Sequence, residues 1–549
     1  MNNNIMQEKA EQRNMMWALL FVTIILFGAN VFVPSEQSSQ PQEVVEQIQS
    51  TPSASLTQVP SLTEMVALSV PVVEQNIALK NDFVVGNYNT VTSGINHLDL
   101  LKYRETTQKN SPNVTLLTDT YQTKISWTSP HVVIPTPVSS TDTAEVTTNQ
   151  PVQLQAKHDS IQINRTVSLD NAYMLNVTDT LTNLSDKPID VVFQAEIERK
   201  LLTETGISNV HEGFVAVLKD KLIEEKYDDD VFSEKTKGGW FGITDKYWQT
   251  AFVLENKERG KVEFEQTADK TYVARFIGEK ITIPAGQTYT HVSRTFAGAK
   301  DIELLTKYQD EHNIPKFDLT IDFGWFYFLT KPFLYLLNWL YDLLGNMGVA
   351  ILVFATLIRL ALLPIATKSY ESMARMRKVQ PKLAALQARY KDDKQRLQIE
   401  MMNLYKREKV NPMSGCLPLL LQIPIFYALY KVLSVAINMR QAPFFGWITD
   451  LSVPDPLSIF TGFGYFDWSV PTLLNIGIWP ILMGITMYVQ QKLSPAPTDP
   501  TQAKVMKWFP IVFTFMLGGF AAGLVIYWTW SNILSILQQK YIMHKVGVK

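Results

Sequence analysis

A single cysteine, Cys416, occurs in 549 residues. No disulfide framework can therefore brace an exported domain, which must hold together by its own core. The long apolar runs contain no Asp, Glu or His. That excludes the ionisable relays of a secondary transporter and the nucleophile–base pair or paired aspartates of an intramembrane protease. No internal repeat is evident, and repeated halves are a second feature that transporters typically carry. Nothing in the chain calls for a metal or a small-molecule cofactor.

Apolar residues make up 46% of the chain, concentrated in a few runs. The first, Met15 to Val33, follows Lys9 and Arg13 and ends in F-G-A-N-V-F-V-P, without a small-x-small cleavage site. Residues 1–33 are therefore expected to be an uncleaved signal anchor. Residues 34–60, rich in Ser, Gln, Pro and Glu, read as a tether. From residue 61 to 322 the pattern becomes short alternating segments, the clearest being Ile161 to Leu169, Tyr173 to Leu184 and Ile189 to Ile197. Period-two alternation between turn residues predicts a large antiparallel β-sandwich.

The aromatic stretch 323–344 is broken by Pro332 and reads as an amphipathic helix in the membrane interface. Spans are expected at 345–367, 416–437 and 472–491. The glycine-interrupted stretch 505–539 should form a short two-helix membrane hairpin, because it is too long for one span and short for two. Lys431, near the outer end of its span, is expected to reach the headgroups. With loops at 438–471 and 492–504 and a basic tail at 540–549, the total is six spans with both termini inside. Charge sets the orientation. From Arg359 onward the chain carries 21 Lys+Arg against 9 Asp+Glu, whereas the first 358 residues have a net charge of −14. The positive side faces the cytoplasm, and the acidic β domain lies across the membrane from it.

Two features point to function. Arg359 is the one charge in its span, about 12 Å from the cytoplasmic end at about 1.5 Å per residue. Placing it there costs ~2.5 kcal/mol or more, and no carboxylate in the spans can offset that. Arg359 either snorkels or occupies a water-filled recess. A side chain reaching ~6–7 Å falls short of the boundary, which favours the recess. The second feature is residues 368–415. Lys368 to Lys409 holds 12 basic and 5 acidic residues. Met373, Met376, Leu383 and Leu386, then Leu397, Met401, Leu404 and Tyr405, recur at helical spacing about the turn Lys391-Asp392-Asp393, predicting a cytoplasmic helical hairpin. Its basic outer faces suit ribosomal RNA, anionic lipid or an acidic partner.

These residues together resemble the YidC family of membrane protein insertases in its Gram-negative form. The resemblance rests on Arg359 five residues before Pro364, and on S-M-A-R-M-R, Q-P-K and D-D-K-Q-R. It continues through E-M-M-N-L-Y-K-R-E-K-V-N-P-M-S-G-C-L-P-L-L-L-Q-I-P-I-F, R-Q-A-P-F and G-L-V-I-Y-W with Ser531-Asn532. In the β region G-G-W (Gly238 to Trp240) and D-L-T-I-D-F-G-W (Asp318 to Trp325) also match. Two departures stand out: extra sequence around Ser458–Ile476, and a threonine at Thr356, three residues before the arginine rather than four.

The resemblance implies an inner-membrane insertase and chaperone with a five-helix core around a hydrophilic groove, open to cytoplasm and lipid. Its partners would be nascent hydrophobic membrane proteins, membrane lipids, Sec translocon components, the ribosome and the signal recognition machinery. Groove candidates are Arg359, Thr356, Gln422, Ser434, Asn475, Thr486, Gln490, Tyr527, Trp528, Ser531 and Asn532, each of which could equally serve helix packing. Candidate ribosome or targeting contacts are Arg375, Arg377, Lys378, Lys382, Arg389, Lys394, Arg396, Lys406 and Arg407. A polytopic transporter with a carbohydrate-binding-like periplasmic domain is the alternative. Sandwiches of this kind also handle sugars, but no acid–base pair can be assigned here, so that reading rests on analogy of fold alone.

Overall fold

The computed structural model describes residues 74–545 and 547, except 140–143, 201–209, 228–230, 392, 409, 411–416, 464, 467–475 and 495–499. The expected signal anchor and tether lie outside the described residues, as do Cys416 and Asn475.

The alternating segments form the expected strands. Ile161–Leu169 alternates buried and half-buried side chains without interruption, and it pairs in register with Met174–Asn183. A five-stranded sheet runs in the order Asn113–Leu117, Gly94–Arg104, Val84–Asn89, Asn76–Lys80, Glu145–Thr147, parallel only at the last pairing. It packs with a larger sheet whose central strand, Trp248–Gln266, is 19 residues long. The first part of this strand pairs with Thr288–Ala299 and the last part with Thr271–Gly278, so it belongs to both branches. Its neighbour Phe232–Thr244 keeps step through a bulge at Lys237/Gly239. This explains the Gly-Gly pair: Gly238 and Gly239 have φ of +72° and +104°, and a Cβ on Gly239 would lie 2.1 Å from the Val217 carbonyl.

One buried polar network ties the layers. Arg165 Nε and Nη2 donate to the Asp179 carboxylate at 2.6 and 2.7 Å, directly across the Ile161–Leu169/Met174–Asn183 pair. Trp127 Nε1 donates to the same carboxylate at 2.8 Å, and Arg165 Nη1 donates to the Tyr88 hydroxyl at 3.1 Å. A pair this deep persists only because its remaining donors and acceptors are met.

Nine helices follow among the described residues. α1 (Ile302–His312), capped by Asp301, closes the sandwich. Beyond a 3-10 turn come α2 (Tyr327–Leu344), α3 (Met347–Ala361), α4 (Leu363–Arg389), α5 (Lys394–Arg407), α6 (Leu417–Val435), α7 (Ile478–Leu493), α8 (Pro500–Leu517) and α9 (Ala522–Lys545). Four boundaries differ from expectation. α2 starts at Tyr327 and passes through Pro332, whose missing N–H leaves only one carbonyl unpaired near the exposed start of the helix. The expected span 345–367 breaks at Leu362, where α3 and α4 meet at 68°. Pro364 on the first turn of α4 has no N–H to continue the α3 ladder. α8 begins at Pro500, before the expected hairpin. α9 continues to Lys545, through the segment expected as a tail, because Ile542 packs with Ala366, Tyr370 and Met373 of α4. Among the described residues no single helix is long and apolar enough to cross a membrane, and only the bent α3–α4 pair meets that measure.

α4 and α5 form the hairpin, with Val379, Leu383, Leu404 and Val410 as its seam and Met376, Leu386, Met401 and Tyr405 packed against it. The α4 stripe therefore divides: Met373 turns to α9, and Leu383 to α5.

Burial pushes the Lys300 ammonium, at the end of the sandwich, from its ordinary 10.5 down to about 8, against the pull of Asp245, Asp322, Glu212 and Glu224. Between about pH 8 and 10.5 the unfolded chain holds the extra proton, so this group makes stability rise with pH across that window. Lys300→Met should remove that rise, up to about 3 kcal/mol at about 1.4 kcal/mol per pH unit. Urea unfolding of the full chain, followed by tryptophan fluorescence at pH 7.5 and 10, reads it. Parallel wild-type and variant curves would contradict the assignment.

Candidate functional site

Arg359 lies in the last turn of α3, two residues before the helix ends. The bend to α4 thus places it beside a helix C-terminus, where free carbonyls and the helix dipole favour a cation. The apolar run that contains it does not continue as one straight helix, because α3 and α4 meet at 68°. Its Nε and Nη2 donate to the Ser531 hydroxyl of α9 at 3.1 and 2.7 Å. Among the described residues it has no carboxylate partner.

α9 is the post around which the polar side chains gather. Gln422 of α6 donates to the Tyr527 hydroxyl at 3.0 Å. Asn532 donates to Thr486 of α7 at 3.1 Å, and Trp530 Nε1 donates to Thr356 of α3 at 3.1 Å. Thr356 in turn donates to the Leu352 carbonyl at 2.8 Å, and Thr486 to Met483 at 2.8 Å. Seven of the expected groove residues, Arg359, Thr356, Gln422, Thr486, Tyr527, Ser531 and Asn532, therefore meet on one helix. Trp528 does not join them by a polar contact: its ring lies 4.3 Å from Phe426 and 6.0 Å from Phe513, within apolar packing. Ser434 is half-buried on α6, away from these bonds, and Gln490 accepts from Ser494 Oγ through its carbonyl at 3.3 Å.

Reasoning from sequence missed three participants. Trp530 holds Thr356. Ser535 donates back to the Ser531 carbonyl at 2.8 Å, and Gln539 donates to the Leu493 carbonyl at 3.0 Å. Their signal was present: Tyr527, Ser531, Ser535 and Gln539 recur every four residues, a polar stripe on a helix.

On the hairpin the basic residues differ in their engagements. Lys382 pairs with Glu408 at 2.7 Å and Arg375 with Glu371 at 3.7 Å. Arg389 and Arg396 both lie over the Tyr390 ring, at 5.6 and 5.8 Å, clasping the turn. Arg377 faces Met543 Sδ at 3.9 Å, whereas Lys378, Lys406 and Arg407 are exposed. The side chain of Lys394 is outside the described set.

The core is also joined to the sandwich. Lys431 does not reach outward as expected. It is buried and donates to Asp322 at 2.7 Å, in the segment leaving the β domain. Its apolar stem packs under Gly324, whose φ of +67° and 3.1 Å clearance to Lys431 Cε admit no side chain without adjustment. A second tie runs from Arg440 to the Glu105 carbonyl and from Gln441 to the Arg104 carbonyl, with the Arg440 guanidinium 5.4 Å from the Trp248 ring centre.

Residues 339–548 match the family described as the 60Kd inner membrane protein, and residues 76–336 match the YidC periplasmic domain. A membrane protein insertase YidC from Beijerinckia indica subsp. indica is 39% identical over 98% of this chain and 97% of its own length. One from Rickettsia massiliae is 40% identical over 99% of both, and one from Brucella suis biovar 1 is 43% identical over 84% of this chain and 80% of its own. The chain belongs to the YidC family. It is a membrane protein insertase of the inner membrane, with a periplasmic domain, and its substrates are membrane proteins. The transporter alternative has no support among these relatives. A crystal structure of an active YidC insertase aligns over 85% of this chain and 92% of its own at 17% identity, with a TM-score of 0.35.

If water fills the space around Arg359, it can replace a lost hydroxyl. Ser531→Ala should then lower thermal stability of the lipid-reconstituted protein by less than about 1 kcal/mol. A dry site would forfeit the full ~1.5–3 kcal/mol of a bond to a charged group.

Proposed function

We propose that insertion runs through a hydrated recess beside α3, α6, α7 and α9, with Arg359 inside it. The observation that carries this reading is the cation at the α3–α4 bend, held by a hydroxyl and by no carboxylate among the described residues. A nascent hydrophobic segment enters with its polar flank in the recess and then moves sideways into lipid. Hydration removes much of the cost of taking the flank part-way across, and burial of ~20 apolar residues supplies the driving force. The free charge of Arg359 attracts acidic residues on short translocated tails.

Six spans with cytoplasmic termini fit the charge asymmetry, with α2 in the outer interface and the α4–α5 hairpin in the cytoplasm. The hairpin takes the contact with the ribosome or the signal recognition machinery, led by Lys406 and Arg407, which are exposed. Substrates pass alone or alongside Sec translocon components. The periplasmic sandwich serves as scaffold or chaperone.

Arg359→Ala should reduce insertion of substrates with acidic translocated tails by roughly ten- to a hundredfold, the equivalent of ~1.5–3 kcal/mol for a charged contact, while Arg359→Lys retains much of the activity. Protease protection of such substrates in proteoliposomes measures both. Full activity of the alanine variant would remove the electrostatic role.

Binding of purified ribosomes to the reconstituted protein should weaken roughly tenfold or more between about 50 and 200 mM salt, through counterion release. Binding indifferent to salt would return the hairpin to a topological anchor.

A further inference from the structure

The segment between α6 and α7 contains the extra sequence that departs from the family pattern. Its side of the membrane follows from the contacts of Arg440 and Gln441 with Glu105 and Arg104 in the periplasmic domain. Its distance from the helices is equally restricted. Asp455 is buried; it accepts from Trp447 Nε1 at 2.9 Å and from the Trp479 amide in the first turn of α7 at 2.9 Å. Ser458 bridges to Gly477, the residue that caps α7, and Ile459 N donates to the Ile476 carbonyl at 3.1 Å. The chain then turns back on itself, so that Phe463 N donates to the Ser458 carbonyl at 2.9 Å. The turn therefore sits directly at the outer start of a core helix and cannot extend away from it.

What this turn displays is unusual. Pro456 to Phe466, P-L-S-I-F-T-G-F-G-Y-F, contains no charged residue. Phe463 is 55% exposed and Tyr465 91% exposed. Phe463 also has φ of +59°, next to Gly462 at +56°. A bulky residue in the left-handed region is strained, and a glycine would occupy that position without strain. Neither burial nor backbone preference accounts for phenylalanine there. Alongside the same helix start, Phe444 lies 6.1 Å from Trp479, and its neighbour Phe445 is 64% exposed. Uncharged aromatic side chains presented at the outer end of a helix in an inner-membrane protein match one environment, the headgroup region, where amphipathic rings partition.

We propose that the turn bearing Phe463 and Tyr465 inserts into the headgroup region of the outer leaflet and anchors the start of α7 there. The occupant is lipid rather than a protein groove. Ile459, Phe460 and Phe466 of the same turn are exposed as well, so the turn presents a short uncharged face, and the bonds of Ser458 and Ile459 hold that face against Gly477 and Ile476 at the start of α7. Anchoring the start of α7 would steady Thr486, further along the same helix, against Asn532.

The test uses the full chain carrying Cys416→Ser and either Phe463→Cys or Tyr465→Cys, labelled with an environment-sensitive fluorophore. It is reconstituted in vesicles of phosphatidylethanolamine and phosphatidylglycerol. Insertion predicts strong quenching by lipids with a nitroxide near the headgroup, weaker quenching by nitroxides deep in the chains, and severalfold less quenching by aqueous iodide than in detergent-free urea. Full iodide access without lipid quenching would overturn the proposal. Protection from iodide without lipid quenching would also overturn it, because the turn would then be covered by protein. Phe463→Gly separates anchoring from folding. Unfolding stability should be kept or raised as the strained φ is relieved, while lipid quenching of a label at Tyr465 falls. Lost stability with unchanged quenching would make Phe463 a packing residue and sink the idea.

Discussion

The arrangement of the core depends on one constraint: polar groups among apolar helices must find partners within the helices or in water. Arg359 is the severest case, because a cation cannot shed its charge cheaply and no acid among the described residues pairs with it. The chain meets the demand with geometry rather than charge. α3 ends two residues after Arg359, and the guanidinium donates to the Ser531 hydroxyl of α9. Gln422, Thr356 and Thr486 follow the same rule, each bonding to a side chain of α9. The helix that holds the arginine therefore also sets the spacing of α3, α6 and α7. Among the described residues Arg359 is held by a hydroxyl alone and meets no carboxylate.

The same reasoning explains why the periplasmic domain is joined to the core at two places. Lys431 is expensive to bury alone, and Asp322 lies in the segment leaving the sandwich; the 2.7 Å pair offsets both charges and fixes how the sandwich meets α6. Around Asp322 stand Lys300, Glu224 and His211, so the junction is a cluster of mutually dependent charges. Burial raises the Glu224 carboxyl above its ordinary range, although His211 pulls it down, and Asp322 adds to the rise.

Much of this architecture was legible in advance. Alternation located the strands because a half-buried sheet face imposes a period of two, and Ile161–Leu169 was read to its limits. The hairpin was legible from its apolar spacing, and the family from motifs spread along the chain. Other features were hidden by the way they arise. The break at Leu362 depends on how Pro364 and the packing of α4 divide one apolar run. The continuation of α9 to Lys545 depends on Ile542 finding Tyr370, some 170 positions earlier. Trp528 and Trp530 are indistinguishable by composition, yet one packs against Phe426 and the other donates to Thr356.

Residue types, their periodicity and their charge determined the class of the protein by themselves: an acidic β domain, a basic helical hairpin, and apolar segments with a lone arginine. Those properties are sums over local sequence, and the solvent on either side of a membrane reads them directly. Tertiary structure alone decided which polar side chains meet, where Arg359 lies along its helix, and that Lys431 turns to Asp322 rather than to lipid. Such outcomes are set by direction and distance between segments far apart in the chain, at the scale of a hydrogen bond, and the order of residues does not contain that information until the helices are packed.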